Sequence, residues 1–408
     1  MSRIACSVII PSRNRRESLI QVLEALGRQT VPLSDLEVIV VLDGSSGGSA
    51  KALEAWQRHG GLPHLRCLTQ PHRGQAAART QGAEAAQGNI LVFLDDDVMA
   101  EPGCLAAHLQ RHRAEDSIVV LGDYPITHPS ERASWYALMV WSWWEDRHHQ
   151  RAQAGRIASF RDLCAGNVSL RRDDFFRVGG FDPAFSGYGG EDFDLGYRLL
   201  KAGVRFVHEP AARARHQHRG SPAQLLRNMR QEGRQDVLLG RKHPELRRGL
   251  RIMVRPQGAR TIFAYPWAWA IAAAGARGLL PLCALVGLRS RWRWFLRKLR
   301  HYSYWCGVRD ALGNWRALEA FCAGAPPVPE LELDVTDGLP TQPPAIWVEG
   351  PSLIHVRAGG RLLGTLSIAE PIDGPVNPTL ADHLVEQLEP ALWMAYLEQA
   401  RTQKVEAT

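Results

Sequence analysis

Four short apolar runs, each followed by polar turn residues and then a stretch with helical spacing, occupy the first ninety-five positions. They are IACSVII (4–10), LEVIVVL (36–42), LRCL (65–68) and NILVFL (89–94). Segments 17–28, 50–59 and 74–87 lie between them and carry apolar or small residues at helical intervals. Strand alternating with helix requires right-handed crossovers and a mostly parallel, Rossmann-like sheet flanked by helices. Pro11 is expected to end the first strand, and a further strand is predicted over 117–122. Ligands bind such sheets beyond the carboxyl ends of the strands. Three polar loops fall there, PSRNR (11–15), DGSSGGS (43–49) and DDDVMAEP (95–102), and are expected to converge on one crevice.

The chain has 408 residues, enough for two or three domains. Its net charge of +7 is uneven: arginine is dense between Arg205 and Arg300, and the last eighty residues are acidic. A basic middle suits nucleotide diphosphates, lipid headgroups or nucleic acid. Seven cysteines without a CxxC spacing argue against a zinc cluster or a disulfide framework and fit a reducing cytoplasm. The N-terminal MSRIACSVIIPSRN has too short an apolar run for a signal peptide, so the chain is expected to begin in the cytoplasm.

Residues 261–276 carry no charge, Arg277 interrupts, and 278–288 are again uncharged. A spanning helix would hold Arg277 near mid-depth at a cost of about 3 kcal/mol or more. A re-entrant or interfacial hairpin bent at Pro281 is easier, with a pair of helices packed on the preceding domain as the plainer possibility. The segment APPVPE (325–330) reads as a linker. Beyond it, LIHVRAGGRLLGTLSI (353–368) has a hairpin pattern and 378–388 a helical one, a small α+β module without a catalytic constellation. Expected boundaries are 1–225, 226–324 and 331–408.

Chemistry concentrates in two acidic motifs. Asp95 and Asp97, one residue apart on a loop leaving a strand, suit a hard divalent cation such as Mg²⁺ or Mn²⁺. Asp96 could face a ribose or a water. An isolated triplet of this kind is more often a solvated turn. Glu191 and Asp192 open a helix after the glycine-rich loop 187–190. Capping and the helix dipole would explain one carboxylate. A second, at the helix mouth, is placed to take a proton from a hydroxyl. Asp194, on the same turn, is expected to be structural. His216 and His218 follow a strand-like stretch, and either could complete a metal shell, although a lone histidine is usually an ordinary surface or core residue. Trp135, Trp141, Trp143 and Trp144 could stack on sugars, sit at a membrane interface, or simply pack a buried helix face.

In order, SVIIPSRNRRESL, VIVVLDGSSGGS, GQAAARTQGAEAAQGNILVFLDDDV, CAGNVSLRRDDFFRVGGFDPAF and GGEDFDLGYRLLKAG resemble family 2 of the GT-A-fold glycosyltransferases over about residues 4–225. That family is inverting and uses nucleotide-diphosphate sugars. The resemblance implies a GT-A domain followed by the apolar and basic helical segment and the small α+β module. It implies that Pro11, Ser12, Arg13 and Asn14 wall the base, that Asp43 hydrogen-bonds it, and that Arg79 approaches the nucleotide or steadies the acidic loop. Asp95 and Asp97 match the DXD motif that holds Mn²⁺ or Mg²⁺, with Asp96 beside the donor. Asp192 matches the general base, Glu191 an acceptor-binding carboxylate, and His216 a third metal contact with His218 as competitor. ARTQG (78–82) departs from the usual ARNxG at Thr80.

Sugar transfer to a surface polysaccharide or glycolipid is thus the expected function. The donor is UDP-linked by default, the acceptor a saccharide or glycolipid hydroxyl. The expected location is the inner face of the cell membrane, touched peripherally through 261–300. A nucleotidyltransferase would want a glycine- and lysine-rich phosphate loop early in the chain, which PSRNRRESL lacks. A nucleic-acid binder is disfavoured because the arginines accompany an apolar stretch. A degenerate transferase serving as a scaffold is the remaining alternative, opposed by the intact Asp95, Asp97 and Asp192.

Overall fold

The computed structural model describes residues 4–326 and 330–368, apart from 47, 131–132, 152–157, 159, 254–258, 335–351 and 359. Its strands are β1 (Cys6–Ser12), β2 (Leu36–Asp43), β3 (His64–Gln70), β4 (Ile90–Leu94), β5 (Val98–Ala100), β6 (Ile118–Asp123), β7 (Asn167–Arg171), β8 (Arg205–His216), β9 (Glu330–Asp334), β10 (Ser352–Ala358) and β11 (Arg361–Ile368). The helices are α1 (Arg16–Leu26), α2 (Ser49–Arg58), α3 (Gln75–Ala85), α4 (Cys104–Ala114), α5 (Trp135–Arg151), α6 (Arg172–Arg177), α7 (Glu191–Lys201), α8 (Pro222–Lys242), α9 (Ala259–Ala264), α10 (Pro266–Leu285), α11 (Arg289–Leu312) and α12 (Trp315–Ala323).

The first eight strands form one sheet in the order β3-β2-β1-β4-β7-β6-β8-β5. β1, β2, β3 and β4 are mutually parallel, β7 runs antiparallel to both β4 and β6, and β8 is parallel to β6. This mixed, mostly parallel sheet flanked by helices is the GT-A arrangement that the resemblance implied. Every residue of β1, β2 and β4 is buried, which explains their nearly continuous apolar runs.

Pro11 does not end β1. The strand continues to Ser12, with Pro11 opposite Val41 of β2. Pairing with β4 stops at Ile9, so the missing proline N–H removes no ladder bond on that side.

Asn167 ties the second half of the sheet together. Its amide donates to the carbonyls of Asp123 (3.2 Å) and Ala212 (2.8 Å), and its oxygen accepts from His108 of α4 (3.0 Å). Ser169 Oγ lies 2.8 Å from both His108 Nδ1 and His112 Nε2. One set of neutral tautomers accounts for every bond in this buried ladder and leaves His112 Nδ1 buried without a hydrogen-bond partner. Burial holds both imidazoles far below the usual histidine range, His108 at about 4 and His112 at about 3.

The chain divides into two compact units, one of residues 1–153, 158–238 and 256–315, the other of 154–157, 239–255 and 316–408. Position 225, expected as a boundary, falls inside α8. A β-carbon at Gly233 or Gly307 would collide with backbone of the facing helix, so α8 and α11 cross at contact distance, and residues 226–238 and 256–315 stay with the first unit. Pro281 lies within α10, and the chain reverses instead at 286–288, where Gly287 has φ +75. In the second unit β10 pairs antiparallel with β11, as the sequence predicted, and parallel with β9. The helix expected over 378–388 lies outside the described residues.

The histidine ladder makes stability pH-dependent. Depressed folded pKa values mean that the unfolded chain binds more protons as pH falls from 6.5 to about 4. Stability should drop across that window, by on the order of 3 kcal/mol for His108. Urea titrations between pH 7 and 4.5 should show a shallower decline for His108→Gln than for the wild-type chain. Parallel profiles would mean that His108 takes up its proton without unfolding.

Candidate active site

β1 and β4 are neighbours, so the loops that leave them meet. Ser12 Oγ donates to Asp96 Oδ2 (2.7 Å), and Arg15 reaches Asp96 Oδ1 (3.0 Å) and Asp97 Oδ2 (2.5 Å). β5 pairs with the end of β8 with Val98 opposite His216. That register brings His216 Nε2 to 3.4 Å from Asp97 Oδ1. Of the two candidate histidines, His216 is therefore the one beside the acidic triplet. His218 lies 3.5 Å from the Tyr136 hydroxyl, its pKa lowered by burial and then by the charge of His216.

Asp95 turns the other way. Its Oδ1 accepts from Arg79 Nη2 at 2.8 Å. The Arg79 side chain is only 2% exposed, and its other terminal nitrogen lies 3.4 Å from Glu191 Oε1 and 3.7 Å from Asp192 Oδ1. Phe181 covers the guanidinium at 5.5 Å from its ring centre. The two acidic motifs, nearly one hundred positions apart in sequence, thus share one buried cation. Asp192 Oδ2 also accepts from the Ala165 amide (3.1 Å), which holds the helix mouth against the segment leading into β7.

The carboxylates do not behave alike. Burial pushes Asp96 up to about 6 despite Arg15 and Ser12. Burial also works against the ionised Asp97, but His216 and Arg15 outweigh it and hold this carboxyl below its ordinary value. Glu191 is fully enclosed, and burial followed by the charge of Asp192 pushes it up to about 8. Asp194 is buried and paired with Arg198 of the next turn, the structural role expected of it.

Pro11 and Ser12 are buried at the end of β1, while Arg13 and Asn14 are exposed. Asn14 accepts from the Ser46 amide (2.9 Å), so the first two polar loops meet. Asp43 is 5% exposed and fully engaged inside the protein. Oδ1 accepts from Gln70 and the Arg73 amide (both 2.7 Å), and Oδ2 from His72 (2.6 Å) and the Gly74 amide (3.0 Å). Four acceptor positions are all that a carboxylate has. What Asp43 offers outward is an oriented His72, whose Nε2 lies 2.8 Å from Arg13.

Arg15, His72 and Tyr124 are not singled out by the sequence, and Trp144 stands out only as one of four tryptophans open to several roles. Trp144 meets His216 edge-on at 5.3 Å, and Tyr124 stands 5.3 Å from Trp144. The other tryptophans of α5 part ways: Trp135 packs against Trp292, Trp141 against His128, and Trp143 lies beneath Arg300. Arg15 carried a usable signal, a cation one position beyond a motif expected to face three carboxylates. Among the described residues no group of three or more His, Cys, Asp or Glu side chains converges for a metal ion. Asp97 and His216 stand together, and Asp95 is held by Arg79.

A raised carboxyl loses its stabilising proton as pH climbs. Between pH 4.5 and 8 the folded chain keeps a proton on Glu191 that the unfolded chain releases, so this group's contribution falls across that range. Glu191→Gln cannot ionise. Its stability relative to wild type should rise from pH 5 to pH 8 in urea titrations. The opposite trend would show Glu191 ionised and paired to Arg79.

Residues 7–179 match the model of glycosyl transferase family 2, and residues 145–219 match the one described as the N-terminal domain of galactosyltransferase. The chain is 33% identical over 222 residues to validoxylamine A glucosyltransferase of Streptomyces hygroscopicus subsp. jinggangensis, covering 48% of this chain and 52% of the relative. It is 28% identical over 242 residues to pre-mycofactocin glycosyltransferase of Mycobacterium tuberculosis, covering 59% and 48%. A mannosyltransferase of Pyrobaculum calidifontis, solved with GDP-Man and Mn²⁺, aligns with a TM-score of 0.47 and 20% identity over 77% of this chain and 89% of its own. The chain spans about half the length of the first two curated relatives it matches. Residues 7–179 thus resemble glycosyl transferase family 2, and these comparisons support sugar transfer as the chemistry of the domain.

Proposed function

We propose that this chain is an inverting glycosyltransferase. It moves a sugar from a nucleotide-diphosphate sugar, UDP-linked by default, to a saccharide or glycolipid hydroxyl in surface polysaccharide or glycolipid synthesis. The observation that carries this reading is the buried Arg79, which gathers Asp95, Glu191 and Asp192 within 3.7 Å at the carboxyl end of the sheet in a family 2 domain. A donor-side motif and an acceptor-side motif then face one another. The site would work in the cytoplasm at the inner face of the membrane, with peripheral contact through 261–300 and no role for nucleic acid.

Asp97, His216 and Asp95 would hold Mn²⁺ or Mg²⁺. Asp97 and His216 fit such an ion, since Asp97 stays ionised and His216 Nε2 lies 3.4 Å from its Oδ1, while Asp95 would join them only by turning from Arg79. When bound, the ion offsets the charge that develops on the leaving diphosphate. Pro11, Ser12, Arg13 and Asn14 wall the base, and Asp43 contributes through the His72 it orients. Asp96, fixed by Ser12 and Arg15, faces the donor side.

Asp192 is the base. Its side chain is 22% exposed against 6% for Glu191, so an acceptor hydroxyl can reach it. Glu191 keeps its proton near neutrality and can donate a hydrogen bond to the acceptor, a division of labour set by burial. Asp192 takes the hydroxyl proton as the oxygen attacks the anomeric carbon from the face opposite the diphosphate. The configuration inverts, and no covalent enzyme intermediate is required.

Calorimetric titration with UDP, GDP, CDP and dTDP, each with and without Mn²⁺, tests the reading. One nucleotide should bind in a metal-dependent way. A folded protein that binds none would favour a scaffold role. Asp192→Asn should lower transfer at least about a hundredfold while leaving nucleotide binding unchanged, and ordinary turnover in that variant would remove Asp192 from the base role.

A further inference from the structure

α10 and α11 form a hairpin joined at Gly287. Only one side of α10 packs: Ala273, Leu280 and Cys283 are buried in a cluster with Trp292, Leu296 and Leu299 of α11. Its other faces are open. Trp267 and Ile271 are each 67% exposed, Leu282 55%, Leu285 83% and Val286 64%. An exposed apolar surface of this kind marks an interaction site.

Charge identifies what covers it. Between 259 and 309 there are nine arginines and lysines and no aspartate or glutamate. Arg289, Arg291 and Arg293, all exposed, follow the apolar turn directly. A second copy of this chain would bring those like charges together. An anionic lipid leaflet complements them, because arginine stems lie along apolar surface while their heads reach phosphates. Trp267 near the start of α10 and Trp294 on α11, both exposed, are residues of the type that settles at the headgroup level.

α10, with twenty residues and a mean hydropathy of 1.5 in its most apolar window, is long enough to cross a bilayer. Arg277 argues against crossing, since it is exposed near mid-helix, where a spanning arrangement would bury its charge at the bilayer centre.

We propose that the α10–α11 hairpin seats the protein in one anionic leaflet, with the outer face of α10 and the turn 285–288 in the headgroup–acyl boundary and the α11 arginines on lipid phosphates. This deepens the peripheral membrane contact of the proposed function, and it holds or fails separately from sugar transfer.

Cosedimentation of the full chain with vesicles tests it, using phosphatidylcholine alone and an equal mixture with phosphatidylglycerol. The chain should sediment with the mixture, far less with phosphatidylcholine, and be released by alkaline carbonate. Leu285→Glu with Val286→Glu, at exposed positions where the fold tolerates charge, should weaken binding at least tenfold. Arg289→Gln, Arg291→Gln and Arg293→Gln together should abolish the preference for anionic lipid. Equal binding to both vesicle types, retention through carbonate, or a soluble dimer dissociated by the Leu285→Glu, Val286→Glu pair would each overturn the proposal. If the chain sediments as expected but titrates no nucleotide, the transferase reading fails and the seating stands. Metal-dependent nucleotide binding without sedimentation sinks the seating alone.

Discussion

A single buried guanidinium organises the candidate site. Arg79 lies inside the protein, away from the water that would normally solvate it, and its charge is tolerable because the Asp95 and Asp192 carboxylates lie beside it, with the protonated Glu191 as a further neighbour. The dependence is mutual. Without the cation, Asp95 and Asp192 would face each other and the carboxyl of Glu191 in a region of low polarisability. The alanine-rich α3 makes the arrangement possible: Ala76, Ala78 and Ala83 are buried, so the helix lies close to the sheet and Arg79 extends directly to the ends of β4 and α7. Loss of one partner in such a group typically costs about 3–5 kcal/mol.

Arg15 forms a second, more exposed layer. It touches Asp96 and Asp97, while Arg79 holds Asp95. Three consecutive carboxylates therefore point to two different cations, which relieves their repulsion within the protein itself. The consequence is chemical. Asp97 stays ionised beside His216, Asp96 is driven toward neutrality by burial, and Glu191 retains a proton next to the more accessible Asp192. Carboxylates of similar intrinsic acidity acquire distinct roles from their surroundings.

β1, β2, β4 and β6 were legible because every residue in them is buried, which makes them almost purely apolar. Asp95, Asp96, Asp97, Glu191 and Asp192 were legible as motifs, since charge at the end of a buried strand or the start of a helix is conspicuous. Of the positions that escaped, Arg15 alone carried a usable signal. His72 is one histidine in a loop until Asp43 orients it. Trp144 looked like any tryptophan of an aromatic helix until β5–β8 pairing set His216 against it. Pro281 looked like a bend, yet α10 runs through it and turns at Gly287.

By itself the sequence determined the alternating sheet, the end of the sheet where polar loops gather, the two acidic motifs and the resemblance of residues 7–179 to glycosyl transferase family 2. These follow from side-chain periodicity and from residue types at fixed spacing, which are local properties. Tertiary structure alone decided that both motifs share Arg79, that Asp43 spends its acceptors on the protein, that His216 rather than His218 meets Asp97, and that one face of α10 packs while the rest stays open. Each of those depends on which distant segments come within a few ångströms, and contact between distant segments is set by packing and strand register, not by neighbours along the chain.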